Sequence, residues 1–473
     1  MKLGDALKIP GNVKWIIETL ENHGHEACAV GGCVRDILLG REPDDWDITT
    51  SAKPNQVKAL FRRTIDTGIQ HGTVTVMMDE EGYEVTTYRM DGEYEDHRHP
   101  KEVLFTPNLV EDLKRRDFTI NAMAYNPKTG IVDEFDGVGD LERRRIRCVG
   151  VPVERFDEDA LRMLRGIRFA GQLQFDLEEK TYAAIADRAP TLVNVSAERI
   201  RTELTKLLLA AGSDRLLLAA DTGLSRYFLP ELDRMLATSQ NNPHHCYDVG
   251  RHSLEAVRQI NLMWKGSGLG EKEHIMLVYA ALLHDVAKPD CKTTDESGVD
   301  HFYRHPEQGA KKAREILRRL KFDNDTVAVV TTLICYHDRR HENCLIDHMY
   351  SEKGKRPMRR LMNQAGKDVM PLLFLLQRAD LLAQSDYKQE EKLAKLDAAE
   401  RCYKEICQAG EAVQIKDLAV GGRDLIEMGL KPGPALGTML RQLLEYVLEH
   451  PEANEKDTLL SLVAEWNQEK DTG

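Results

Sequence analysis

The sequence has no excess of positive charge: 65 lysines and arginines stand against 78 aspartates and glutamates over 473 residues, a formal net charge of −13. Proteins held to nucleic acid by bulk charge usually read as basic, so any contact with RNA or DNA has to be local. No apolar run approaches the roughly 18 residues of a membrane span, and the longest candidates, Leu207–Ala211 and Leu216–Ala220, are short helix faces. The start, Met1-Lys-Leu-Gly-Asp-Ala, carries an acid where a secretory signal would have its apolar core, which points to a cytoplasmic address. The nine cysteines (28, 33, 148, 246, 291, 335, 344, 402 and 407) include no Cys-x-x-Cys pair. Neither a disulfide framework nor a structural zinc site is expected, and the thiols should be reduced. With 30% charged and 42% hydrophobic residues and no repeat of fixed period, the chain is globular, and its length allows two to four domains of roughly 100–200 residues each.

The first third reads as mixed α/β. An amphipathic helix over 12–24 leads to a small-residue strand over His25–Val30, followed by strand-like runs at Asp45–Thr49, Thr73–Met78, Tyr83–Arg89 and Ile131–Phe135 and a helix pattern at Asn55–Arg62. From about Arg155 the apolar residues fall at helical spacing and are expected to stay helical to the end. The natural boundary lies near Gly150-Val-Pro. Pro- and Asn-rich punctuation at Gln240–His245 precedes a histidine-bearing stretch, and the acidic segment Asp386–Glu400 leads to a Gly/Pro-broken tail. Four pieces follow: a head over 1–150, a helical neck over 151–238, a helical body over 239–395 and a helical tail over 396–473.

Chemistry concentrates in the head. The strand His25–Val30 ends at Gly31-Gly32-Cys33-Val34-Arg35-Asp36, after which Ile37-Leu38-Leu39 continues as a helix. Two glycines at such a turn let backbone N–H groups approach phosphate oxygens, and Arg35 adds a forked donor, although many α/β domains carry a Gly-Gly turn without any ligand. In Asp44-Asp45-Trp46-Asp47-Ile48, residues i and i+2 of a strand share a side, so Asp45 and Asp47 present two carboxylates together. Glu84, in Tyr83-Glu84-Val85-Thr86-Thr87, offers a third from a neighbouring strand. Three carboxylates around two Mg²⁺ ions suit nucleotidyl transfer.

These residues carry a resemblance. Gly31-Gly-x-Val-Arg-Asp36, Asp45-x-Asp47, Asp91-Gly-x-Tyr-x-Asp-x-Arg98-His-Pro100 and Arg115-Arg116-Asp117-Phe118-Thr119-Ile120-Asn121-Ala122 resemble the head of the tRNA nucleotidyltransferases, the CCA-adding group within the polymerase-β-like superfamily. The order and spacing hold over roughly residues 25–205. The resemblance implies an α+β multidomain fold, with a mixed sheet and helices in the head and all-α pieces after it. It also implies Asp45 and Asp47 as metal ligands with Glu84 beside them, Gly31, Gly32, Arg35 and Arg116 at the triphosphate, and Asp117 and Asn121 on the ribose side. Asp91–Lys101 resembles the family's mobile loop, and for Arg115 and Asp91 a structural ion pair and a ligand contact both stay open.

After the head, Glu158-Asp159-Ala160-Leu161-Arg162 opens the first neck helix, where Asp159 and Arg162, spaced i and i+3, share a face. Cytosine and adenine both offer an amino donor beside a ring-nitrogen acceptor, whereas uracil and guanine present the reverse order. One Asp/Arg pair therefore fits C and A and leaves groups unpaired opposite U and G, at about 1–3 kcal/mol each. Arg165 and Arg168 on the same helix join the nucleotide-binding set, and the run Ala197–Lys206 is expected to brace the base-reading helix.

Further on, His252, His284-Asp285, His305, His337 and Asp380 resemble the ligand order of the HD superfamily of metal-dependent phosphohydrolases over roughly residues 240–385. Imidazole and carboxylate together suit divalent Mn, Ni, Fe, Zn or Mg. If His305 and His337 join the set, two metals fit. The leading expectation is template-independent addition of C, C and A to a tRNA 3′ end from CTP and ATP, with pyrophosphate released, by a monomer or homodimer whose tail helps to hold tRNA. A poly(A) polymerase or A-adding enzyme on the same head is a rival, as is an HD phosphohydrolase whose head only binds RNA. RNA should pass the basic residues Arg143, Arg144, Arg145, Arg147, Arg162, Arg165 and Arg168, with Lys353–Arg360 in the body.

Overall fold

The computed structural model describes residues 7–91, 103–338 and 355–471. Of the loop Asp91–Lys101, all but Asp91 lies outside them. The chain forms two compact units, Met1–Asp233 and Arg234–Gly473.

In the first unit, helix α1 (Gly11–Asn22) places Val13, Ile16, Ile17 and Leu20 in one fully buried stripe. Strand β1 (Ala27–Val30) is buried at every position, as expected of a strand covered on both faces. Helix α2 (Gly32–Leu38), strand β2 (Asp47–Thr50), helix α3 (Pro54–Leu60), and strands β3 (Thr64–Gly68), β4 (Thr73–Met78) and β5 (Glu81–Thr87) follow. A ribbon of β6 (Arg89–Asp91) and β7 (Val103–Phe105) leads to helix α4 (Leu109–Lys114) and strands β8 (Ala124–Asn126) and β9 (Gly130–Val132). Seven of these strands make one sheet in the order β3-β4-β5-β2-β1-β8-β9, antiparallel throughout except for β2 beside β5. That parallel pair sets Asp47 opposite Glu84. Strand β3 has no alternation to announce it: Thr-Ile-Asp-Thr-Gly is an edge strand with its three central residues exposed.

Helix α5 (Gly137–Glu142) and strand β10 (Arg145–Ile146) connect to helices α6 (Pro152–Glu158), α7 (Leu161–Leu173), α8 (Glu179–Arg188) and α9 (Ala197–Leu208). The expectation of helix from Arg155 to the end is corrected twice. Strand β11 (Asp176–Leu177) pairs in parallel with β10, and in the second unit Lys292–Thr294 pairs antiparallel with Asp300–Phe302. The second ribbon closes because Asp295 Oδ1 accepts the N–H groups of Ser297 and Val299 while Gly298 takes φ +81°.

The second unit is otherwise helical. Its main helices are Val249–Trp264, Glu271–Leu283, His305–Arg319, Asn324–Tyr336, Met370–Leu382, Gln389–Gln408 and Pro434–Glu449. Glu271–Leu283 is buried on every side beyond its first turn, apart from Ile275. Among the described residues, no helix is long and apolar enough to cross a membrane.

Candidate active site and a second histidine–aspartate cluster

The turn after β1 is built on one glycine. Gly31 has φ +83°, donates its N–H to Met123 O at 3.0 Å, and leaves no room for a Cβ, which would lie 2.7 Å from Arg116 Nη1. Its N–H is therefore spent on the sheet, and any phosphate would meet the amides that open α2 at Gly32, where no side chain caps the helix. Arg35 grips Asp36 through Nε (2.9 Å) and Nη2 (2.7 Å), and donates Nη1 to Asn121 Oδ1 at 2.7 Å.

Asp45 precedes β2 and is exposed, Asp47 opens the strand, and Glu84 lies beside it on β5, also exposed. Burial pushes the Asp47 carboxyl up to about 6, helped by repulsion from Asp45 and Glu84 and opposed by Arg116. The three carboxylates thus form one electrostatic group, although their oxygens are not drawn as close as those of the histidine clusters below. A half-buried acid held up by desolvation and then by like charge fits a cation-binding site, because a divalent ion offsets both.

Arg115, Arg116 and Asp117 follow α4. Asp112, wholly buried on that helix, accepts from Arg115 Nε at 2.9 Å and from Thr49 Oγ1 at 3.2 Å, and lies 3.8 Å from Arg116 Nη2. Asp117 is buried. Its Oδ1 accepts Phe118 N–H (2.8 Å) and Asn121 Nδ2 (3.2 Å), and its Oδ2 meets Arg165 Nε (2.8 Å) and Nη2 (2.6 Å). Burial alone would raise its pKa, but Arg165 and Arg162 outweigh that and hold it well below the usual carboxylate range.

The Asp159/Arg162 geometry differs from the sequence expectation. Asp159 stands outside the helices, in extended conformation (φ −146°, ψ 103°) between α6 and α7, and does not share a helix face with Arg162. Its Oδ1 caps Leu161 N–H (3.1 Å) and its Oδ2 pairs with Arg199 Nη2 (2.7 Å). Arg162 is held by Glu158 and by the carbonyls of Arg115 (3.0 Å) and Arg155 (3.2 Å). The two are nevertheless neighbours in one pocket of about 270 Å³, lined by Arg115, Arg116, Asp117, Asp159, Leu161, Arg162, Arg165 and Arg199.

Arg168 does not line that pocket. It is buried, paired with Glu203 Oε2 at 2.5 Å and Gln172 Oε1 at 2.5 Å. Arg115 and Arg199 are the pocket residues that sequence reasoning left open or gave to bracing. The one available signal was the shared run of charge in Glu198-Arg199-Ile200-Arg201, which a solvated helix face would also show. Arg143 and Arg147, expected along an RNA path, are engaged with the wholly buried Asp140 at 3.0 and 2.7 Å.

Three family models match the chain: the Poly A polymerase head domain over residues 27–147, the RNA and SrmB-binding site of polymerase A over 174–236, and tRNA nucleotidyltransferase domain 2 over 301–463. A CCA-adding enzyme of Lactobacillus delbrueckii subsp. bulgaricus is 36% identical over 451 residues, covering 95% of this chain and 96% of its own. The chain belongs to the CCA-adding enzymes. It is therefore a nucleotidyltransferase. The CCA-adding enzyme of Levilactobacillus brevis is 35% identical over 95% of this chain and 96% of its own. The crystal structure of the Bacillus stearothermophilus CCA-adding enzyme in complex with CTP matches with a TM-score of 0.69 at 29% identity, over 98% of this chain and 99% of that one. The fold is also that of the Thermotoga maritima CCA-adding enzyme complexed with tRNA (TM-score 0.58, 19% identity, 98% of this chain and 97% of that one). A nucleotidyltransferase of this family uses divalent metal.

The second unit brings its sequence-predicted residues together. His252 Nε2 lies 3.0 Å from Asp380 Oδ1 and 3.2 Å from His284 Nε2, and His284 Nε2 is 3.2 Å from Asp285 Oδ2. His305 and His337 approach Asp285 Oδ1 at 3.4 and 3.7 Å. Ligand atoms of His252, His284 and Asp380, and again of His284, Asp285 and His337, lie within 4.8 Å of one another. Each imidazole directs Nδ1 at a backbone carbonyl: Ala383, Ala281, Phe302 and Ile334, at 2.7–3.2 Å. A proton on Nδ1 leaves Nε2 as a lone-pair donor turned inward, the tautomer a metal requires. Both Asp285 oxygens are buried and make no well-aligned hydrogen bond, although the Lys288 ammonium is 2.7 Å away. Burial would raise the Asp285 pKa, but His284 and Lys288 hold it well below the usual range. Buried carboxylate oxygens that face four Nε2 atoms without an aligned hydrogen bond fit a divalent cation. Sequence reasoning passed over His245, half-buried and edge-on to His252 with ring centroids 5.2 Å apart.

Proposed function

We propose that this chain adds C, C and A to the 3′ end of tRNA from CTP and ATP, and that the pocket between α4, α6, α7 and α9 selects the base. The observation that carries this is the pocket lining, which sets the carboxylate of Asp159 and the guanidinium of Arg162 in one recess beside Arg115, Arg116 and Arg165. A carboxylate takes the amino group of cytosine or adenine, and a guanidinium donates to the adjacent ring nitrogen. To serve, Asp159 offers the second lone pair of Oδ2 while Arg199 keeps the first. Uracil and guanine put acceptor against carboxylate and donor against guanidinium, and lose both bonds.

The remaining head residues place the reacting groups. Arg35, Arg116 and the amides that open α2 hold the triphosphate oxygens, and Asp117 and Asn121 lie on the ribose side. Asp45, Asp47 and Glu84 hold divalent metal, Mg²⁺ being the expected ion. Bound there, it neutralises the triphosphate and lowers the pKa of the attacking hydroxyl. The terminal hydroxyl of tRNA attacks in line, pyrophosphate leaves, and no covalent intermediate with the protein is needed. The tail over 396–473 contributes to holding tRNA, and the pieces 1–150, 151–238 and 239–395 act as head, neck and body.

Asp159→Ala tests the base-reading step. With CTP, ATP, UTP and GTP supplied separately, the variant is expected to narrow the C/A over U/G preference by about tenfold or more while losing less in its rate with CTP. An unchanged preference contradicts the assignment.

A second reading concerns the histidine–aspartate cluster alone. Its inward Nε2 atoms and the buried Asp285 oxygens that face them favour an HD-type metal centre with accessory phosphohydrolase activity on the same chain.

A further inference from the structure

Phe169, on α7, is 4% exposed, and three guanidinium groups lie against its ring. Their Cζ atoms are 3.9 Å (Arg168), 5.2 Å (Arg35) and 5.6 Å (Arg165) from the centroid. Phe118 meets the same ring edge-on at 5.7 Å and 78°. Three cations around one side chain repel each other unless something offsets them. Carboxylates do so in part: Asp36 for Arg35, Asp117 for Arg165 and Glu203 for Arg168. The negative face of the aromatic ring supplies attraction common to all three, and guanidinium suits it because it is planar and weakly hydrated.

The arginines come from different places. Arg35 belongs to α2, beside the Gly31 turn, and binds Asn121. Arg165 belongs to α7 and binds Asp117. Asp117 and Asn121 are the two ends of the turn after Arg116. That turn is therefore held at both ends by arginines that share a single ring.

We propose that Phe169 is a positioning residue for nucleotidyl transfer: its ring electrostatics register the triphosphate-side Arg35 against the base-side Arg165, and so align the phosphate with the attacking hydroxyl. The inference rests on the assignment of the α4–α9 pocket to the nucleotide, and adds to it a residue that touches neither base nor phosphate. Misalignment lowers kcat more than it raises KM, because it affects the in-line geometry more than binding. Both CMP and AMP addition suffer, since both use the same arginines, and the choice of base is retained.

The test replaces Phe169 in the full-length protein with 4-fluoro-, 3,5-difluoro- and 3,4,5-trifluorophenylalanine, which drain the ring face while nearly conserving its volume. Single-turnover CMP and AMP addition to tRNA transcripts is measured, with Phe169→Leu as a companion. The expected result is a logarithmic fall in kcat with each fluorine, reaching about tenfold for the trifluoro ring, with Phe169→Leu at least as slow and the C/A over U/G preference intact. A flat fluorine series overturns the proposal. Flat fluorines with a slow Phe169→Leu also overturn it, because shape alone would then matter. The Asp159→Ala measurement keeps the two ideas apart: an unchanged base preference there sinks the base-reading assignment, whatever the fluorine series does.

Discussion

Asp47 shows how one side chain can be poor for stability and suited to the metal-holding role proposed for it. Burial beside Asp45 and Glu84 raises its pKa from 3.8 to about 6, so the folded protein disfavours the charged form. The sign follows directly. The penalty is present above about pH 6, where the carboxylate is ionised, and fades as pH falls toward its unfolded value. Without divalent metal, Asp47→Asn should therefore stabilise the protein by about 1–2 kcal/mol at pH 8, allowing for partial exposure, and by little near pH 4, as read by urea denaturation. In the wild type, protons compete with metal, so transfer activity should fall as pH drops through about 6, with a midpoint that moves lower as Mg²⁺ is increased. The single strand expected to set both carboxylates on one side begins only at Asp47, but the Asp45-x-Asp47 motif was legible in the sequence. Asp112 was not. It sits in an ordinary helical charge pattern, and only the fold reveals it as wholly buried and bonded to Arg115 and Thr49.

At the scale of elements, local pattern located the strands that alternate or are buried on both sides, β1, β4 and β5, to within a few residues. It missed β3, whose pairing is a property of the edge it occupies, and β8, whose three residues are too few for a pattern. It also placed Asp159 on a helix, whereas the chain breaks between α6 and α7 and turns that carboxylate toward Arg199. The spacing that suggested a shared helix face cannot distinguish one helix from two. The Gly31 turn is the element on which the proposed phosphate side depends. Gly31→Ala adds a methyl at positive φ and pushes against Arg116, so it should cost about 1–3 kcal/mol of stability and lower kcat/KM for both nucleotides more than fold loss explains. Thermal unfolding and steady-state kinetics on the same preparation check this.

Across the whole molecule, the net charge of −13 is compatible with RNA as substrate because the charges are unevenly used. Several basic residues that the sequence offered as an RNA path are already engaged: Arg143 and Arg147 with Asp140, Arg359 with Glu411, and Arg360 with Glu449. Arg162 and Arg165, also of that path, line the one pocket described above, where Glu158 and Asp117 partner them. The proposed affinity for tRNA is accordingly modest and salt-sensitive. The chemistries proposed for the two units are separable. Asp45→Ala should abolish nucleotide incorporation and spare any metal-dependent phosphohydrolysis, whereas His284→Ala should remove the latter and reduce incorporation less than about threefold, each measured on the purified full-length protein. The central claim is tested most directly by incubating the protein with tRNA transcripts that end before CCA, after one C and after CC, each with a single nucleoside triphosphate. The prediction is CMP on the first two, AMP on the third, and then a stop. Long tails from ATP alone, or no incorporation from CTP, would contradict it.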